Sequence, residues 1–251
     1  MSSSALVPTG TAIRIGMLTP SSNTVLEPVT YRLLHELPEV TAHFSRFGVT
    51  EIGVSARALR QFDIDKLLAA AELLVDARVH VIAWNGTSAG WLGFESDRDL
   101  CRRIREETGI PATTSVLALA ELLRLARISN LALVTPYTSD VQARILKNFE
   151  MEGYNCIAER HLGISENFAF SQVAKPDLIA MIHAVAASQP QAITSFCTNL
   201  AAAPLAACLE SELGIPIYDT AAVTVWHSVL MAGGDPSRIK GWGRLFGQRS
   251  D

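Results

Sequence analysis

Short uninterrupted apolar runs alternate along this chain with longer stretches in which apolar positions recur every three to four residues. The runs at 12–19, 79–83, 130–134 and 192–196 are rich in Val, Ile and Leu and end in turn-forming or small polar residues. Runs of that length, bounded in that way, read as buried strands. The segments 64–77, 115–126, 141–151, 178–187 and 202–213 carry helical periodicity, and a further helix is expected over 219–233. Strand–helix alternation predicts βαβ units around a mostly parallel sheet, hence an α/β fold.

The pattern also repeats. Thr19-Pro20 is matched by Thr135-Pro136, VHVIAWNGTS at 79–88 by PQAITSFCTN at 190–199, and Gly109-Ile-Pro111 by Gly214-Ile-Pro216. The offsets are 116, 111 and 105 residues, in one order, and the second match pairs Gly86 with Cys197. We read two similar α/β lobes related by a pseudo-two-fold axis, 1–116 plus 218–251 and 117–217. Helix 219–233 and the tail are expected to return to the first lobe.

In open α/β sheets ligands bind beyond the carboxyl ends of the strands. Each repeated strand ends in small polar residues: Ser21-Ser22-Asn23, Gly86-Thr87-Ser88, Tyr137-Thr138-Ser139 and Cys197-Thr198-Asn199. Two facing lobes would bring these loops into one cleft. The same residue types cap helices, and both roles are compatible, since a helix start also offers N–H groups to carboxylates.

Composition narrows the function classes. The chain has 251 residues, 49% hydrophobic and 18% charged, with a net charge of −4. That excludes disorder, and without a basic run nucleic acid is not an expected partner. The start, 1–12, does not read as a signal peptide, and the longest apolar stretch, 200–209, is too short for a membrane span and contains Pro204. Four widely spaced cysteines without a CxxC pair read as thiols in a reducing compartment, so a cytoplasmic location is expected.

Cys197 is the informative one, at the end of a buried-type strand and ahead of a helix whose dipole would tune its thiol. Cys101, Cys156 and Cys208 are expected to pack as small hydrophobes. The six histidines form no metal-ligand spacing and no phosphate-binding glycine motif occurs, so neither a metal nor a nucleotide cofactor is implied. His227 reads as a packed helix residue.

Together, Gly86-Thr-Ser88, Thr135-Pro-Tyr137 with Asp140-Val, Leu162-Gly-Ile164, Cys197 and Gly241-Trp-Gly-Arg-Leu-Phe246 resemble the aspartate/glutamate racemase superfamily. Within it the likeness runs to arylmalonate decarboxylase and maleate cis-trans isomerase. Two-cysteine members of that superfamily work from both faces of a substrate carbon; here Gly86 stands in the first-lobe position, as in the decarboxylase. A lone thiol protonates one face only, whereas racemisation needs an acid and a base on opposite faces. Loss of CO2 makes a carbanion without a base. The resemblance therefore implies a cofactor-independent decarboxylase of a malonate-like small carboxylate, with Cys197 as proton donor. Thr87, Ser88, Tyr137 and the backbone of Thr198 would form a dioxyanion hole. Glycine at 86 is expected to leave room for an added side chain.

Other features look isomerase-like. The Pro20-Ser-Ser-Asn23 loop, with Ser22 and Asn23, and Asn167 after Leu162-Gly-Ile164 suggest a polar second substrate arm. Isomerisation or racemisation of a small dicarboxylate or an amino or hydroxy acid derivative is the alternative, and a binding protein without turnover is the third reading. A small carboxylate is the expected partner in each; membranes are not, and self-association stays open.

Overall fold

The structure, a computed structural model, describes residues 12–248. The stretch 1–12, read above for targeting signals, lies but for Ala12 outside the described residues. Eight strands form two sheets. Strands β1 (Ile13–Pro20), β2 (Val40–Phe47), β3 (Val81–Trp84) and β4 (Ala112–Thr114) make the first, in the order β2-β1-β3-β4. Strands β5 (Asn130–Thr135), β6 (Asn155–His161), β7 (Ala192–Ser195) and β8 (Ile217–Asp219) make the second, in the order β6-β5-β7-β8. Every pairing within the two sheets is parallel, so the second lobe repeats the first strand for strand.

The central strands are those the apolar runs predict. Ile15, Met17, Val81, Ile82, Leu131, Leu133, Ala192 and Ile193 are all fully buried, as expected of parallel strands covered by helices on both faces. Edge strands β2 and β6 escape that reading because they mix polar and apolar residues, one side of each remaining partly exposed. The repeated Gly-Ile-Pro has a common local cause. Gly109 and Gly214 end their helices at φ 71° and 73°, a left-handed conformation that suits glycine, and each N–H bonds back to the last turn, to the carbonyls of Arg105 and Glu210. A short strand follows each.

The lobes meet closely. Helix Ala89–Leu92 packs on helix Ser139–Met151, and Asn148 Nδ2 donates to the Gly90 carbonyl at 2.9 Å. A Cβ on Gly90 would lie 2.6 Å from the Phe196 ring, so only glycine allows this approach. Helices Ser115–Leu125 and Thr220–Met231 pack together, with a Thr224–Ser115 hydroxyl bond of 2.8 Å. Helix Thr220–Met231 also touches helix Leu26–Leu34 and strands β1, β3 and β4. The tail bridges both lobes: Arg32 lies over the Trp242 ring, while the Arg244 N–H donates to buried Glu210 at 2.7 Å. No described helix is long and apolar enough to cross a membrane.

The close approach at Gly90 gives a stability test. Gly90→Ala is expected to cost about 1–3 kcal/mol by overpacking, read as a lowered Tm in thermal unfolding. Gly48→Ala, where an added Cβ meets nothing within 4 Å, should stay near the wild-type Tm.

Candidate active site

The carboxyl ends of β3, β5 and β7 converge between the lobes on a small cavity. Gly86, Thr87, Tyr137, Asn167, Cys197 and Thr198 all border it. All but Gly86 are polar or thiol side chains with at most 4% exposure, so they are nearly cut off from bulk water. The Thr87 and Tyr137 hydroxyls share a 2.6 Å hydrogen bond that crosses from one lobe to the other. The Tyr137 phenol and the Cys197 thiol are also near enough to bear on each other's protonation. The Cys197 sulfur accepts from the Asn199 N–H at 3.4 Å. The cavity has a volume of about 20 Å³, room for roughly one water, so anything larger would need its walls to move apart.

Burial dominates the electrostatics. It pushes the Cys197 thiol up to about 12, against smaller opposing effects of the Tyr137 phenol and of backbone hydrogen bonds. Burial likewise holds the Tyr137 phenol well above its ordinary value. At neutral pH both groups therefore carry their protons. Among the described residues, no Lys, Arg or His borders the cavity, so an anion there would meet neutral donors. Among the described residues, no three His, Cys, Asp or Glu side chains gather as a metal site.

Behind the lining lies a layer that fixes it. Asn23 caps helix Leu26–Leu34 by accepting from the Val25 and Leu26 N–H groups, each at 3.0 Å, and donates through Nδ2 to Thr198 Oγ1 at 3.2 Å. Thr198 donates onward to the Asn85 carbonyl at 3.0 Å. Ser22 donates to the Val49 carbonyl at 2.6 Å and accepts from Asn167 Nδ2 at 2.9 Å. Ser22 and Asn23 thus stand one step back from the cavity and position Asn167 and Thr198. Asn199, named above as a strand-end residue, and Arg46, which the sequence reading passed over, complete this layer. Asn199 accepts from the Thr24 N–H and donates to the Asn167 carbonyl at 2.6 Å. Arg46, paired with Glu27, donates to the Ser21 and Asn23 carbonyls at 3.0 Å each.

Several expectations need correction. Gly86 does not leave room for a side chain: an added Cβ would lie 2.0 to 2.6 Å from the Trp84 ring, which fills that space. Ser88 does not border this cavity; its hydroxyl accepts from Trp84 Nε1 at 3.3 Å, and its side chain makes no capping bond to the helix that follows. The helix expected from residue 202 begins at Ala206, behind the turn Ala203–Leu205, so no α-helix start abuts the thiol. Cys208 is exposed and Cys101 and Cys156 are half-buried, since they lie on helices and an edge strand that present one side to solvent. His227 does pack within its helix, where Thr113 meets its Nδ1 at 2.8 Å and burial lowers its pKa.

The apolar walls were also missed. Val49, Ile52 and Phe62 reach the cavity from the segment after β2, and Trp91 and Phe170 close it from either lobe. Edge-to-face contacts of Tyr137 with Trp91 (5.3 Å) and Phe170 (5.5 Å) hold the phenol in place. Segment 48–62 has neither strand nor long-helix periodicity, so sequence reading had no element on which to place it.

This two-lobed α/β architecture is shared with solved structures of decarboxylase and isomerase enzymes. Residues 15–246 match the family model described as arylmalonate decarboxylase, and the chain belongs to that family. It is similar to arylmalonate decarboxylase of Bordetella bronchiseptica, 28% identical over 92% of this chain and 95% of the relative. It is also similar to maleate isomerase of Nocardia farcinica, 26% identical over 94% of this chain and 96% of that one. A solved structure of the Nocardia farcinica maleate cis-trans isomerase, a Cys-to-Ser mutant with a covalently bound succinylcysteine intermediate, superposes with a TM-score of 0.87. It is 25% identical and covers 95% of this chain and 99% of its own.

The thiol's burial sets a reactivity pattern. At pH 7 iodoacetamide should leave Cys197 largely unmodified while alkylating exposed Cys208, and the Cys197 rate should still be rising at about pH 10, because only the thiolate reacts. Peptide mass spectrometry reads both sites. A Cys197 rate that levels off below about pH 8 would contradict a thiol held protonated by burial.

Proposed function

We propose that the protein is a cofactor-independent decarboxylase of a malonate-like small carboxylate. The observation that carries this reading is a single protonated thiol, Cys197, on one side of the cavity, with glycine at the matching position of the other lobe. Such a site can deliver a proton to one face and has no second thiol to remove one from the other. One substrate carboxylate accepts from the Thr87–Tyr137 hydroxyl pair and from the backbone N–H of Thr198. The other lies against the apolar walls around Val49, Ile52 and Phe62, where an ionised carboxylate is poorly solvated and its departure as CO2 is favoured. The bond from the α-carbon to that carboxylate breaks, its electron pair stays on the α-carbon, and the neutral donors stabilise the enediolate. The Cys197 S–H proton then passes to carbon, and the thiolate recovers a proton from solvent.

The alternative is isomerisation of a small dicarboxylate. It is favoured by the Asn23 and Asn167 amides beside the cavity and by the maleate isomerases among the relatives. Asn23 and Asn167 hold Thr198 and Ser22 here, so their amides serve the framework of either reaction.

Incubation with 2-methyl-2-vinylmalonate, phenylmalonate and maleate in D2O, followed by NMR, separates the readings. CO2 loss with one deuteron at the α-carbon is expected for a malonate; fumarate formation with intact malonates would overturn the decarboxylase. Cys197→Ala should lower kcat by about 10²–10⁴-fold, and Tyr137→Phe by about 10²-fold or more through loss of one oxyanion donor.

A further inference from the structure

Trp84 is the last residue of β3 and is 1% exposed. Its indole folds over Gly86, and three positions are fixed by that choice. The ring stacks at a tilt on Phe47, 5.0 Å between centroids. Its Nε1–H donates to Ser88 Oγ at 3.3 Å. Its carbons CZ2, CE2 and CH2 occupy the space into which any side chain at position 86 would project. Trp84 also borders two cavities. One is the 20 Å³ space beside Cys197; the other, of 240 Å³, is lined by Phe62, Leu67, Ser88, Leu92 and Asp97 as well. Trp84 shares that position with Phe62, which also lines both cavities. The larger cavity carries the buried Asp97, one of whose carboxylate oxygens has no hydrogen-bond partner.

We propose that Trp84 determines the substrate class of the Cys197 cavity by walling off the Gly86 face and the neighbouring 240 Å³ space, so that the site takes malonates with short alkyl or vinyl substituents and excludes aryl ones. This inference rests on the reading of that cavity as the reaction site. A vinyl group offers the delocalisation that an enediolate needs at less than half the size of a phenyl ring. When the walls open for a ligand, the indole still covers Gly86, so a phenyl substituent finds less space on that side than a vinyl group. With the indole shortened, the space over Gly86 opens toward the larger cavity and an uncharged ring gains room there. The glycine at 86 is then explained by the tryptophan: no larger residue fits beneath the ring.

The test uses Trp84→Leu, which keeps an apolar side chain in the core, and ligands that need no turnover. In calorimetry the wild type should bind but-3-enoate at least about tenfold more tightly than phenylacetate. Trp84→Leu should bind phenylacetate at least about tenfold more tightly than the wild type does. A ratio of the two affinities that changes by less than about twofold would overturn the proposal. A thermal cycle reads the wall without any ligand. Gly86→Ala should lower Tm by at least about 3 °C in the wild type and by less than about 1 °C in the Trp84→Leu background. Equal losses in both backgrounds would show that the ring does not occupy that space. If neither ligand binds either protein, the cavity is not a carboxylate site and the proposed reaction falls, while the thermal cycle still decides the place of Trp84.

Discussion

The buried 2.6 Å hydrogen bond between Thr87 and Tyr137 joins the strand-end loop of one lobe to that of the other, and the candidate chemistry depends on that junction. Two α/β units could pack in many ways. Here the Gly90 approach to Phe196, the helix pair Ser115–Leu125 and Thr220–Met231, and the Asn23–Thr198–Asn85 relay all bring the ends of β3 and β7 to one place. Because the junction is buried, its polar groups must satisfy one another, and each becomes a fixed donor or acceptor. Pre-set donors of this kind are what an enediolate requires, since they need no reorganisation as charge develops.

The same burial decides the state of the thiol. In water a cysteine of this kind would be partly ionised a little above neutrality, whereas exclusion from solvent keeps Cys197 protonated. A protonated thiol is a poor nucleophile and a competent acid. An enediolate carbon is far more basic than a thiolate, so a high thiol pKa does not hinder the proton transfer. The absence of cations among the described residues along the cavity works in the same direction, because a bound ammonium or guanidinium would stabilise the departing carboxylate as well as the retained one.

Much of this was legible in the sequence, and the parts that were not share a physical reason. Central strands such as Val81–Trp84 and the stretch 131–134 of β5 are buried on both faces and write themselves as unbroken apolar runs. The repeat survives because each lobe needs the same turn after the same strand, seen in Gly109 and Gly214. The polar residues Thr87, Tyr137, Asn167, Cys197 and Thr198 fall at strand ends or beside a marked loop, and the structure brings them together. Edge strands and segment 48–62 carry mixed patterns, so the apolar walls they supply could not be read. Gly86 shows the remaining limit: a glycine in a sequence says that nothing larger is present, not whether the space is empty. Only the three-dimensional arrangement shows the Trp84 ring lying there.

The central claim is that one thiol delivers one proton to one face of a planar intermediate. The enantiomeric composition of the monocarboxylate formed from prochiral 2-methyl-2-vinylmalonate, measured by chiral chromatography, tests it most directly. The account predicts essentially a single enantiomer, set by the side on which Cys197 stands. A racemic product, formed at the enzyme-catalysed rate, would contradict it, because the proton would then be arriving from both faces or from water.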